Sequence, residues 1–206
     1  MASKFRLRRL FKPIIKILAR GLSKIGLSAN GATITMLTCS LISFLMLVFF
    51  SNYVIFSIFV FLTGIFDGID GAIARLKNTT SRFGGIFDSI MDRLSEFFIF
   101  LALLINRWDE NLWIIIDMKL IITLSFLTSI MISYSRSRAQ ILYYGDYDIG
   151  LMARSERLFY IFVTTLISFY FGYFNEFILF FLLLVISTAI FRFLKIHSMI
   201  SDSEKI

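Results

Sequence analysis

Four aspartates, Asp67, Asp70, Asp88 and Asp92, stand in the stretch FDGIDGAIARLKNTTSRFGGIFDSIMDR at 66–93, which apolar sequence borders on both sides. Asp67 and Asp70 are three apart and Asp88 and Asp92 four apart, so at ~100° per residue each pair shares one helix face. The connection from Leu76 to Gly84 is long enough for a tight return, so two antiparallel helix ends can aim four carboxylates at one point. Unpaired anions that close repel one another, and desolvation adds to the cost. Divalent cations resolve both difficulties. Oxygen ligands with no His or Cys nearby favour Mg²⁺ or Mn²⁺ over zinc. The alternative is salt bridging of the same carboxylates by Arg75, Arg82 and Arg93. It leaves the small residues Gly71 and Ala74 unexplained, whereas a metal site needs space there for a flat base or a phosphate to approach the backbone. Acidic groups inside membrane segments mark functional sites.

The elements that must hold these aspartates are membrane helices. Hydrophobic residues make up 58% of 206, with 25 phenylalanines, more apolar surface than one soluble core of this length can bury. The balance of 21 Lys and Arg against 14 Asp and Glu gives a net charge of +7, which bears on orientation and anionic lipid headgroups and argues against a nucleic-acid partner. The single cysteine, Cys39, lies in an apolar run and reads as a packing residue. Residues 1–25 read as an amphipathic helix in the membrane interface, kinked or restarted at Pro13, and not as a cleaved leader. It is either a positive-inside anchor or a lipid-recognition element.

Six apolar segments follow, at about 32–50, 53–75, 85–106, 118–138, 157–173 and 176–195, each near the ~20 residues that span the hydrocarbon core. The fold expected is an all-α polytopic membrane protein, six transmembrane helices preceded by the juxtamembrane helix. Its domain would cover 26–198, with a frayed polar tail at 199–206. The segment at 106–119 places Trp108 and Trp113 as anchors in the interface opposite the aspartates. With a cytoplasmic N-terminus, 19 of the 21 Lys and Arg residues fall on that side, all but Arg107 and Lys119. Both termini and the aspartate cluster are therefore expected at the cytoplasmic face of the cell membrane.

The spacing D-x2-D-G-x2-A-R-x8-G-x3-D-x3-D, carried by Asp67, Asp70, Gly71, Ala74, Arg75, Gly84, Asp88 and Asp92, resembles the signature of the CDP-alcohol phosphatidyltransferases. That resemblance implies a metal-dependent membrane enzyme, usually a homodimer, that transfers a phosphatidyl group from a CDP-lipid to an alcohol and releases CMP. It implies two metal ions bridged by Asp67 and Asp88, with Asp70 on one, Asp92 on the other, and Asp92 also as the base. Gly71, Ala74, Arg75, Ser81 and Gly84 would face the CDP-lipid. GLSANGATITML at 26–37 is similar to the family's first-helix start, with Ala29 where proline is usual. Asn30, Gly31, Ala32 and Thr33 would then lie near the nucleotide headgroup, and capping of the first span by Ser28 or Asn30 explains the same residues.

Arginines speak to the acceptor. Arg136, Arg138, Arg154, Arg157 and Arg192 sit at the aspartate end of the last three spans, and guanidinium binds phosphate in a bidentate fork. An uncharged alcohol would not need them. ISYSRSRAQ and GLMARSERL resemble acceptor-side motifs of the phosphatidylinositol phosphate synthase branch and its archaeal counterpart, archaetidylinositol phosphate synthase. Ser137, Gln140 and Ala153 depart from them. The resemblance implies that Arg136, Arg154 and Arg192 grip the phosphate of inositol 1-phosphate. Arg138 and Arg157 serve either that phosphate or lipid phosphates. Glycerol 3-phosphate is the competing acceptor, and a cation transporter is the competing class. A transporter would continue its charged residues through the midplane, where the sequence has LFYIFVTTLISFY and FILFFLLLVISTAI. A catalytically silent lipid-binding relative would have no need of all four aspartates.

Overall fold

The computed structural model describes residues 7–142 and 149–203, with backbone alone for 8, 9, 142, 202 and 203. The expectations for residues 1–6, for 143–148 and for the last tail residues 204–206 lie outside the described residues. The order is α1 (Leu7–Lys24), α2 (Ala29–Phe50), α3 (Tyr53–Leu76), α4 (Arg82–Asn106), β1 (Asn111–Leu112), β2 (Ile116–Asp117), α5 (Met118–Leu142), α6 (Arg154–Phe171) and α7 (Phe174–Ser203). Helices α2 to α7 coincide with the six apolar segments. Four of them, over Ala29–Phe50, Tyr53–Leu76, Met118–Ile141 and Phe174–Ser201, are long and apolar enough to cross a membrane. Helix α4 carries Arg82, Asp88, Asp92, Arg93 and Glu96 before it turns apolar, and α6 opens on Arg154, Glu156 and Arg157.

Local chemistry sets the helix boundaries. Ser28, Asn52 and Ser81 cap α2, α3 and α4, each side chain accepting from the N–H three residues on. Thus Ser28, not Asn30, caps the first span. Helix α3 ends where Asn78 turns left-handed (φ 53) and the Thr79 N–H reaches back to the Ala74 carbonyl, an Asn-type helix stop. Helix α1 runs through Pro13 without restarting. Its Phe11, Ile15, Ala19 and Leu22 form a shared cluster with Ile69 and Ile73 of α3, and that packing carries the helix past the missing N–H. Leu10, Ile14 and Ile17 of α1 remain exposed, so a second apolar stripe faces away from the protein. Helix α7 outlasts the expected span and continues to Ser203, because Met199 and Ile200 pack against Ala139 and Ile196.

Helix α3 packs on α1, α2 and α6; α2 also packs on α4, and α5 on α7. The main core lies toward the end away from the aspartates, around Phe56, Ile99, Phe100, Leu103, Ile121 and Phe181. Large apolar side chains also cover the outside of the bundle, among them Phe49, Ile58, Leu120, Leu183 and Ile190, as a lipid-facing surface requires. The one departure from an all-helical chain among the described residues is the β1–β2 hairpin, which pairs Asn111 with Asp117. Its tip places Trp113 and Ile114 at φ 49 and 66, left-handed positions that turn chemistry ordinarily gives to Asn or Gly. Trp108 and Trp113 are both exposed, and Lys119 lies over the Trp108 ring.

A polar clasp closes this far end. Arg107 donates to both Glu110 oxygens at 2.6 Å and to the Tyr53 hydroxyl at 3.0 Å, and Asn175 donates to Glu110 at 3.0 Å. Partial burial acts to raise the Glu110 pKa, but the Arg107 and Asn175 hydrogen bonds and the Arg107 charge outweigh it, leaving the carboxyl below its ordinary value. A depressed folded-state pKa adds stability above the unfolded pKa, and that stability is lost as pH falls through the folded one. Thermal unfolding in detergent is expected to show a small acid-side loss of stability that Glu110→Gln removes.

Candidate active site

The aspartates come from two helix ends joined by the 77–81 loop. Asp67 and Asp70 lie in the last turns of α3, and Asp88 and Asp92 in the first turns of α4. One oxygen from each of Asp67, Asp88 and Asp92 lies within 4.8 Å of the others, close enough to share a cation. All three are half-buried. Asp70 is buried at 4% exposure and is held separately: its Oδ2 accepts from Thr33 Oγ1 at 2.9 Å and its Oδ1 from the Gly71 N–H at 2.5 Å. Thr33 therefore reaches the cluster from α2, while Ala32 is buried one position earlier and Asn30 is exposed on the first turn. Gly31 supplies the N–H that Ser28 caps.

Gly84 belongs to the cap of α4: its N–H donates to Ser81 Oγ at 2.9 Å, and a Cβ on it would lie 3.0 Å from that oxygen. Beside Gly71 the Arg75 guanidinium comes within 3.2 Å of where a Cβ would stand. Arg75 is exposed and Ala74 half-buried. A cation on the carboxylates comes from α6. Arg154, the first residue of α6, donates from Nη1 to Asp67 Oδ1 at 2.5 Å and to Asp92 Oδ1. Arg93 turns instead to the Ser89 carbonyl, and Arg82 is exposed.

A cavity of about 380 Å³ opens against this cluster. The four aspartates, Gly71, Arg75 and Glu96 of α3 and α4 line it together with Arg136, Ser137 and Gln140 of α5, Arg154 and Arg157 of α6 and Arg192 of α7. Arg138 is exposed and is not part of that lining. Arg192 is buried, with Nε on the Ile149 carbonyl at 2.8 Å and Nη1 on the Ile132 carbonyl at 2.7 Å. Arg157 is tied up in an ion pair: Nε and Nη2 donate to the two Glu96 oxygens at 2.6 and 2.9 Å, and Nη1 to the Met152 carbonyl at 3.1 Å. Sequence reasoning passed over Glu96. Its signal was the four-residue step from Asp92, which puts both on one face of α4, as Arg154 and Arg157 share one face of α6.

The donor set suits a divalent cation. Carboxylate oxygens alone make a hard site, and a guanidinium lying between Asp67 and Asp92 marks where positive charge is favoured. The chain matches the CDP-alcohol phosphatidyltransferase family over residues 27–191, and it belongs to that family. It is 29% identical over 166 residues to the archaetidylinositol phosphate synthase of Pyrococcus horikoshii, covering 79% of this chain and 82% of that one. It is 35% identical over 156 residues to the phosphatidylinositol phosphate synthase of Mycobacterium tuberculosis, covering 73% and 68%. The crystal structure of the Mycobacterium tuberculosis enzyme with CDP-DAG bound superposes with a TM-score of 0.74 at 26% identity, over 89% of this chain and 94% of that one. Its complex with manganese and citrate gives 0.75 at 25% identity, over 88% of each.

Side chains of Glu96 and Arg157 are only 3% and 1% exposed, so removing one partner strands a buried charge. Glu96→Leu or Arg157→Leu alone is expected to cost roughly 3–5 kcal/mol of unfolding free energy, and the double substitution much less. Denaturant titration in detergent measures the difference.

Proposed function

We propose that this protein is a phospholipid synthase that transfers a phosphatidyl or archaetidyl group from a CDP-lipid to inositol 1-phosphate and releases CMP. The observation that carries the reading is one cavity lined both by a carboxylate cluster and by Arg136, Arg154 and Arg192. Ala153, the N-cap of α6, and Arg154 and Ser155 of its first turn also line the cavity, and a helix N-terminus adds outward N–H groups that suit a phosphate. The relatives named above support inositol 1-phosphate as the acceptor among phosphorylated alcohols.

Asp67, Asp70, Asp88 and Asp92 would hold two divalent cations, Mg²⁺ or Mn²⁺. When bound, such ions neutralise the pyrophosphate and the departing CMP. Asp92 takes the proton of the acceptor hydroxyl as its oxygen bonds to the lipid-bearing phosphorus and the bond from that phosphorus to CMP breaks. Thr33 and the Gly71 N–H keep Asp70 oriented. Asn30 to Thr33, Gly71, Ala74, Arg75, Ser81 and Gly84 form the CDP-lipid side. Arg136 and Arg154 bind the acceptor phosphate, with Arg192 beside them holding backbone carbonyls. Arg157 and Arg138 are assigned no contact with it.

In the membrane, α2 to α7 form six spans, and the exposed stripe of α1 lies in the cytoplasmic interface of the cell membrane. Both termini and the site face the cytoplasm, in keeping with the distribution of Lys and Arg. Two copies associate as a homodimer.

The deciding experiment incubates purified protein and CDP-lipid with Mg²⁺ and either inositol 1-phosphate, glycerol 3-phosphate or inositol, and measures CMP. Fastest release is expected with inositol 1-phosphate and none after chelation. Equal or faster release with glycerol 3-phosphate would replace the acceptor assignment. Arg136→Ala is expected to raise the acceptor KM by at least about tenfold, the worth of a charged hydrogen bond, with little change in the CDP-lipid KM.

A further inference from the structure

The segment Ile149–Ala153, which leads into α6, is fastened at three backbone atoms by buried side chains. Arg192 Nε donates to the Ile149 carbonyl at 2.8 Å, the Met152 N–H donates to Thr188 Oγ1 at 3.3 Å, and Arg157 Nη1 donates to the Met152 carbonyl at 3.1 Å. Thr188, Arg157 and Arg192 are 4%, 0% and 2% exposed. Thr188 and Arg192, four residues apart, share one face of α7, and Arg192 also holds the Ile132 carbonyl of α5. Gly150 is left-handed at φ +107, and a Cβ there would lie 2.7 Å from Thr188 Cγ2. The strap thus lies directly on α7.

Helix α6 starts from this strap. Ala153 is its N-cap and, unlike Ser28, Asn52 and Ser81, offers no side-chain cap, so the start of α6 is placed by the fastenings on the residues just before it. The next residue is Arg154, and Ala153, Arg154 and Ser155 all line the cavity. Thr188 itself is not part of that lining. Whatever fixes Met152 fixes where Arg154 begins.

We propose that the Ile149–Ala153 strap sets the acceptor side of the cavity and that Thr188 is a positioning residue acting through it. The inference rests on the reading that a phosphorylated acceptor binds Arg136 and Arg154. The three fastenings of the strap run to α6 and α7, whereas the CDP-lipid contacts are assigned to α2, α3 and the start of α4, which α6 meets through Arg154 on Asp67 and Asp92. With divalent cations taking the place of Arg154 at those carboxylates, a displaced strap alters acceptor affinity more than CDP-lipid affinity.

Thr188→Val keeps the side-chain shape and removes the oxygen that accepts from Met152, whereas Thr188→Ser keeps the oxygen. CMP release is measured against acceptor and CDP-lipid in turn, with whichever alcohol the wild type turns over fastest. Thr188→Val is expected to raise the acceptor KM about fivefold and Thr188→Ser to stay within about twofold of wild type, with the CDP-lipid KM within about twofold in both, the scale of one neutral hydrogen bond. An unchanged valine variant, equal rises in both KM values, or a serine variant as impaired as the valine one would overturn the proposal. Should the wild type use only an uncharged alcohol, the phosphate reading fails, and the same valine and serine comparison on that alcohol still decides the strap.

Discussion

The constraint on which this structure turns is electrostatic. Asp67, Asp88 and Asp92 bring oxygens within 4.8 Å inside a helical bundle where solvent screening is weak. Such an arrangement persists only where positive charge meets it. In the structure Arg154 supplies that charge from α6, and in the proposed reaction divalent cations do so. Much else follows from keeping the charges apart yet compensated. Asp70 is drawn away onto Thr33 and Gly71, and a second rung, Glu96 with Arg157, repeats the acid–arginine pairing one turn deeper between the same two helices.

This requirement divides the bundle along its length. The half away from the site holds the large apolar core around Phe100 and Phe181, and closes with the Arg107–Glu110 clasp. The half that carries the cavity depends more on directional bonds: caps at Ser28 and Ser81, the Glu96–Arg157 pair, and the fastenings of the strap before α6. Polar contacts can hold helix ends at defined offsets, which suits a site that must present acids and bases from α3, α4, α5, α6 and α7 to one cavity.

The order and rough limits of the helices were legible in the sequence, because apolar runs and cap residues are local signals. So was the convergence of Asp67, Asp88 and Asp92, since spacings of three and four fix a helix face and the 77–81 loop is short. What was hidden depends on contacts across the chain. Nothing near Arg154 in sequence shows that its guanidinium meets Asp67 and Asp92, positions 87 and 62 residues away. The expected partners are near in sequence, yet Arg93 donates to the Ser89 carbonyl, Arg82 is exposed, and Arg75 lines the cavity beside the aspartates. The sequence resemblance sets Arg192 on the acceptor phosphate and leaves Arg157 between that and lipid phosphates, yet one holds backbone carbonyls and the other a buried glutamate. The β1–β2 hairpin escaped notice because Trp113 and Ile114 carry no turn signature.

Binding of Mn²⁺ by the purified protein, read from the loss of the free-ion signal in electron paramagnetic resonance, tests the carboxylate cluster without relying on turnover. Wild-type protein is expected to take up Mn²⁺, and Asp88→Asn to lose that uptake while keeping its helical circular dichroism. Equal Mn²⁺ affinity in a folded Asp88→Asn protein would contradict a cation shared by Asp67, Asp88 and Asp92.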